Sequence, residues 1–299
     1  MHIYGITKQQ FKRLEPLKLE KGITSIESDL YILPGNQNGH KQLLKYYRKT
    51  EGEYFGNKLL TINSLIDNKN NIGIEELVLP DKLAIVDKKV VGFIMNYIEN
   101  SINLITLLNS NINTGEKIKL LKQVQRIISK IQYLKLNPQF LLGDIHESNF
   151  ILNTSDNRVY AVDLDGCKIS NNQIYSMKYC SFNEKLFDFP HKYPLDENDN
   201  PIPNVNTEWY CFTTIVLNTI SNGPLYKLLL EDFYEYLCFL RSKGISNELL
   251  DCFCNLYSSA DNYQPGELLD AIPEDISNMS LNKFLTKTKK KEFYKPFLK

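Results

Sequence analysis

No charge of one sign prevails in this chain: thirty-five basic and thirty-five acidic residues cancel. Net charge therefore gives no reason to expect nucleic acid or an anionic membrane as a partner. No apolar run approaches a membrane span, and the opening MHIYGITKQQFKRLE lacks the apolar core of a signal peptide. The six cysteines, Cys167, Cys180, Cys211, Cys238, Cys252 and Cys254, form no C-x-x-C pair and show no zinc spacing. That pattern points to reduced thiols in a cytoplasmic protein, not to a disulfide framework or a structural metal. Neither an internal repeat nor a low-complexity linker occurs. What is present is an ordinary globular composition, 42% hydrophobic and 23% charged over 299 residues, enough for one two-lobed unit or two small domains.

The informative stretch is LGDIHESNFILNTSDNRVYAVDLD, residues 142–165. Phe150-Ile151-Leu152 and Val159-Tyr160-Ala161-Val162 are apolar and β-prone, and the polar insert between them reads as a turn. The predicted hairpin brings Asn149 and Asp163 together at its base, with Asp144 on the loop before it. One carboxylate that can take a proton from a hydroxyl, beside two oxygen ligands for a hard cation, is the set that phosphoryl transfer from ATP with Mg²⁺ requires.

These residues resemble the catalytic core of protein kinases. Asp144 and Asn149 stand at the D-x-x-x-x-N spacing of the catalytic loop, and Asp163 stands where the D-F-G aspartate would. Leu142-Gly143 replaces His-Arg, and Asp163-Leu164-Asp165 replaces D-F-G. Gly143-Asp144 followed by His146 is also similar to the aminoglycoside-phosphotransferase branch of the same superfamily. The resemblance implies an α+β, bilobal protein kinase-like fold. A small antiparallel-sheet N-lobe with one helix would span residues 1–97, a mainly helical C-lobe 98–275, and a basic tail 276–299.

An N-lobe must then precede the catalytic loop. Residues 23–26, 29–33 and 41–47 read as strands, with a turn over 34–39. Gln42-Leu43-Leu44-Lys45 resembles the V-A-I-K strand, which makes Lys45 the candidate for the nucleotide's α- and β-phosphates, with Lys41 on the same face as its rival. A helix over 54–66 carries a stripe of Phe55, Leu59, Ile62 and Ile66, and Glu53 at its start is the candidate to hold Lys45. A hairpin over 83–87 and 90–97 leads into Met95-Asn96-Tyr97-Ile98. By resemblance Met95 lines the adenine pocket, and backbone groups of Asn96 and Ile98 meet the adenine edge. No G-x-G-x-x-G occurs; Gly22 and Ser25 are what remains to contact phosphate. An amphipathic helix over 115–136 leads to the catalytic loop, and 171–206 occupies the place of an activation segment. The helix opening at Glu208-Trp209 resembles the buried kinase helix whose acidic residue braces that loop.

The expectation is an ATP- and Mg²⁺-dependent phosphotransferase, a Ser/Thr kinase acting on a protein, with no nucleic-acid or membrane partner. Asp144 serves as base, Asn149 and Asp163 as metal ligands, Lys45 as phosphate ligand. His146 is either a donor to the γ-phosphate or a loop histidine, and Asp165 either a spare metal ligand or a turn residue. A small-molecule kinase of aminoglycoside or choline type and a nucleotide-binding pseudokinase scaffold are the alternatives.

Overall fold

Alternating apolar residues build the larger sheet. The computed structural model describes residues 2–20, 27–34, 41–134, 136, 139–169, 204–221, 230–251, 269 and 272. Its fold is α+β. The strands are β1 (Ile3–Ile6), β2 (Glu15–Pro16), β3 (Ser28–Leu33), β4 (Gln42–Tyr47), β5 (Pro80–Val86) and β6 (Lys89–Asn96), ordered β1-β5-β6-β4-β3-β2. Helix α1 (Lys8–Phe11) lies between β1 and β2, and α2 (Glu53–Ile72) between β4 and β5. A second sheet pairs β7 (Ser101–Asn103), β8 (Phe150–Asn153) and β9 (Arg158–Ala161) in that order.

The sheet corrects one expectation. It is mixed and not wholly antiparallel, because β1 runs parallel to β5, Ile3 opposite Leu83 and Ile6 opposite Val86. Parallel neighbours need a long crossover, and here everything from α1 through α2 lies between them. Directly after β1, the Thr7–Gln10 capping box starts α1. The β5–β6 hairpin turns at Asp87 and Lys88, both at positive φ (47° and 68°), as a two-residue hairpin turn demands. Helix α2 continues past the predicted 54–66 to Ile72 and stops at Gly73, whose left-handed φ of 55° closes it with a bond to the Lys69 carbonyl.

The chain divides into two compact units. The first holds Met1–Leu104, Ile127–Leu142 and Ser148–Tyr175, hence both sheets and α2. The second holds Ile105–Arg126, Gly143–Glu147 and Ser176–Lys299. Helix α3 (Leu104–Leu108) and α4 (Thr114–Gln132) follow β7, while α5 (Val205–Ser221) and α6 (Leu230–Ser242) belong to the second unit. No helix among the described residues is long and apolar enough to cross a membrane. The expected strand 23–26, Gly22 and Ser25, most of the turn 34–39, residues 171–203 and the tail 276–299 lie outside the described residues.

Candidate functional site

The site in the first unit begins with strand alternation. Successive side chains of β4 point to opposite faces, so Leu43, Lys45 and Tyr47 share one. Leu43 and Tyr47 pack there with Phe55, Ile62 and Ile66 of α2 and with Phe93 and Met95 of β6. Lys45, opposite Leu30 on β3 and Phe93 on β6, is carried into this apolar surface and is only 6% exposed. The rival Lys41 is exposed and pairs with Glu99 at 3.2 Å.

An isolated charge in such a place is costly, so it must be paired. The β8–β9 hairpin delivers the partners. Ala161 is clasped by backbone bonds, donating to the Glu76 carbonyl (2.8 Å) and accepting from the Val78 N–H (2.9 Å). Two residues on, Asp163 takes a left-handed conformation, φ 61° and ψ 42°, before a 3₁₀ turn over Leu164–Gly166. A non-glycine residue held there stores backbone strain, a feature that clusters at functional sites. Lys45 Nζ donates to Asp163 Oδ1 and, at 2.8 Å, to Asp165 Oδ1. Val162 N–H donates to the Asn149 carbonyl at 2.9 Å, which puts Asn149 beside the Asp163 turn.

The two carboxylates differ. The Asp163 side chain is 50% exposed, that of Asp165 2%. Asp165 Oδ2 accepts from the Tyr47 hydroxyl and, at 3.2 Å, from Lys58 Nζ. Lys58 also pairs with Glu27 at 2.7 Å, and the Tyr54 hydroxyl donates to Glu27 at 2.7 Å. Both ammonium groups stand over rings, Lys45 over Tyr47 and Phe93, Lys58 over Tyr47 and Tyr54.

Titration follows from this arrangement. Burial works to lower the Lys45 pKa, but the Asp163 and Asp165 charges outweigh it and hold the ammonium above its usual value. Burial works upward on Asp165, yet Lys45 and Lys58 hold it well below the usual carboxylate range. Burial, reinforced by the Asp165 charge and opposed by Lys45, pushes Asp163 up to about 6. One carboxylate is thus firmly ionised, while its neighbour titrates closer to neutrality.

One expectation changes. Glu53 is exposed at the first position of α2, and among the described residues no ion pair joins it to Lys45. Five helical residues turn about 140° around the axis, so a helix that points Lys58 inward points Glu53 elsewhere. Asp165, expected as a spare metal ligand or a turn residue, lies in the Leu164–Gly166 turn with its two oxygens accepting from Lys45, Tyr47 and Lys58. Sequence reasoning missed Lys58, Tyr47 and Glu27. A signal for Lys58 existed: it sits three residues after Phe55 and four before Ile62, on the apolar stripe itself.

Near the predicted adenine edge, Met95 is buried in the same apolar cluster, Ile98 packs against it, and Asn96 is exposed opposite Gln42. Tyr97 N–H donates to the Lys41 carbonyl at 3.1 Å.

In the second unit, Asp144 and His146 lie on the loop Gly143–Glu147. Gly143 has φ 74°, a left-handed conformation suited to glycine. Its N–H donates to Glu208 Oε1 at 3.0 Å, and Glu208 is buried on α5. Burial, then the Asp144 and Glu208 charges, push the Cys211 thiol well above its usual value, so Asp144 is near α5 as well. Asp144 itself is partly exposed, and His146 Nε2 lies 3.4 Å from Glu147 Oε2. No protein-family model matches the chain, and no curated protein matches it either.

Proposed function

We propose that this chain is an ATP- and Mg²⁺-dependent phosphotransferase of bilobal, protein kinase-like fold, transferring the γ-phosphate to a serine or threonine hydroxyl of a protein. The observation that carries the reading is the tie between Lys45 and Asp163, residues 118 apart in sequence. A lysine for phosphate and a carboxylate for the metal that bridges phosphates are of use to a nucleotide only side by side.

The donor set fits the ligand. Magnesium takes oxygen ligands, commonly one or two carboxylates together with substrate phosphates. The half-exposed Asp163, with Asn149 held beside its turn through its backbone carbonyl, suits that demand. Among the described residues no group of three or more His, Cys, Asp and Glu is arranged to hold a metal unaided, and a phosphate-sharing cation does not need one. When bound, Mg²⁺ would neutralise charge on the transferring phosphoryl group.

The protein's part is positioning. Lys45 would meet the α- and β-phosphates, Asp163 and Asn149 would hold the cation, and the apolar wall of Met95 and Ile98 would face the base. Asp144, on a loop whose backbone Glu208 fixes, would orient the acceptor hydroxyl and accept its proton. His146 would donate to the departing phosphoryl oxygens. Fixed charges aimed at developing charge account for most of the expected rate gain.

The test is transfer of labelled γ-phosphate to a panel of proteins, small alcohols and amines. Asp144→Asn is expected to keep nucleotide binding while lowering transfer on the order of 10²–10⁴-fold. Near-normal transfer by that variant would sink the assignment of the base. Transfer to a small alcohol or aminoglycoside, with none to protein, would move the acceptor to the small-molecule class.

A further inference from the structure

We propose that Asp165, braced by Lys58 and Tyr47, is the residue that positions Lys45 for nucleotide phosphates, the part that the resemblance gives to a glutamate on α2. The inference rests on the phosphotransferase reading for what Lys45 does, but not for how Lys45 is held. Lys45 Nζ lies 2.8 Å from Asp165 Oδ1, while Lys58 Nζ and the Tyr47 hydroxyl occupy Asp165 Oδ2. Three donors on two oxygens from β4 and α2 fix the carboxylate plane, and a fixed plane fixes the ammonium on it. Tyr47 sits on the same face of β4 as Lys45, so the strand holds both the lysine and a brace for its partner.

The helix's choice of charge follows from electroneutrality. A glutamate on α2 would add another anion to a cluster that already holds Asp163, Asp165 and Glu27. With the carboxylate supplied by the Leu164–Gly166 turn, the helix has to supply a cation, and Lys58 is that cation, linking Asp165 to Glu27. Buried ionic groups persist only when each charge has its opposite within reach. The D-x-D pair thereby divides its work. Asp163, half open to solvent, is left for the metal, and Asp165, enclosed, is a positioning residue.

A double-mutant cycle decides whether Asp165 acts through Lys45. The variants are Asp165→Asn, Lys45→Met and the two together, with affinity for Mg²⁺-ATP read by calorimetry. Asp165→Asn is expected to weaken binding on the order of tenfold when Lys45 is present, and by less than about twofold when Lys45 is already methionine. A tenfold loss that persists beside Lys45→Met, with a raised Mg²⁺ requirement, would make Asp165 a metal ligand and overturn the proposal. Should Asp165→Asn, which leaves Lys58 with Glu27 alone, fail to fold, the same cycle runs in a Lys58→Gln background, where the Asp165–Lys58 pair is removed together. If the unaltered protein binds no Mg²⁺-ATP, the proposed function falls at that step. The cycle read by urea unfolding then decides the positioning claim alone: coupled effects support it and additive effects refute it.

Discussion

The two faces of β4 share one backbone and have opposite contents. Leu43, Lys45 and Tyr47 face α2 and the Asp163–Asp165 turn, where two lysines and three carboxylates are gathered among rings. Leu44 and Tyr46 face the other way, into Ile6, Leu33, Ala84, Val91 and Ile94, with Phe11, Tyr31 and Tyr46 ring on ring. The charged face depends on each ion finding its partner, whereas the apolar face depends only on volume and burial. If the proposed function holds, stability and chemistry sit on alternate residues of the same strand and should be separable by mutation.

The largest expected effect tests the apolar face. Leu44 is fully buried, and Leu44→Ala is expected to cost about 2–5 kcal/mol of unfolding free energy. Nucleotide affinity per folded molecule should stay the same. Urea unfolding and calorimetry on one preparation measure both, and a loss of affinity without a loss of stability would break the division.

Gly92 is where the two faces cease to be independent. A Cβ on it would stand 1.8 Å from the Lys45 carbonyl oxygen, so β6 and β4 must move apart to admit one. Gly92→Ala is expected to cost about 1–3 kcal/mol, less than the leucine truncation. Unlike that truncation, it should also weaken nucleotide binding, because the displaced segment is the one that carries Lys45. Unchanged affinity in a folded Gly92→Ala protein would show that Lys45 tolerates backbone movement.

The smallest effect sharpens the charged face through pH. A carboxyl raised from 3.8 to about 6 on folding binds its proton more tightly in the folded state. Its contribution to stability is therefore complete below the unfolded value of 3.8 and is lost as pH rises through about 6. The Asp163→Asn variant has no such loss. Whatever the substitution costs by itself, the difference in melting temperature should move in the variant's favour as pH rises from about 4 to about 7. Solvent around the half-exposed side chain keeps that shift small. A difference that stays flat across that range would show Asp163 to be ionised throughout.

Much of the charged face is legible from the sequence, and the reasons for the gaps are physical. The strands β3, β4, β5, β6, β8 and β9 follow from alternation and turn chemistry, which are local. Lys45 stands out through the resemblance of Gln42-Leu43-Leu44-Lys45 to the V-A-I-K strand and its place ahead of a helix and the Asp144 loop. By contrast, β1 escapes a sequence reading because a four-residue strand paired in parallel across the whole crossover has no local signature. Glu53 attracts more notice than Lys58 because sequence shows a charge's place on a helix but not the charges that will meet it. Only the arrival of Asp165 from a distant turn makes a helix lysine the complementary choice. Glu208 is readable as the brace of the Gly143 loop only through the resemblance of its helix to the buried kinase helix, not from any local property of the sequence.

The clasp at Ala161 has a mechanical consequence. Glu76 and Val78 lead directly into β5, and their backbone bonds to Ala161 splice the hairpin that carries Asp163 to the sheet that carries Lys45. The backbone that carries Lys45 and the backbone that leads to Asp163 are therefore joined by main-chain bonds through β5 and β6. Under the proposed function, such a frame would act as a caliper of fixed opening, favouring ligands by the spacing between their anionic groups and their cation.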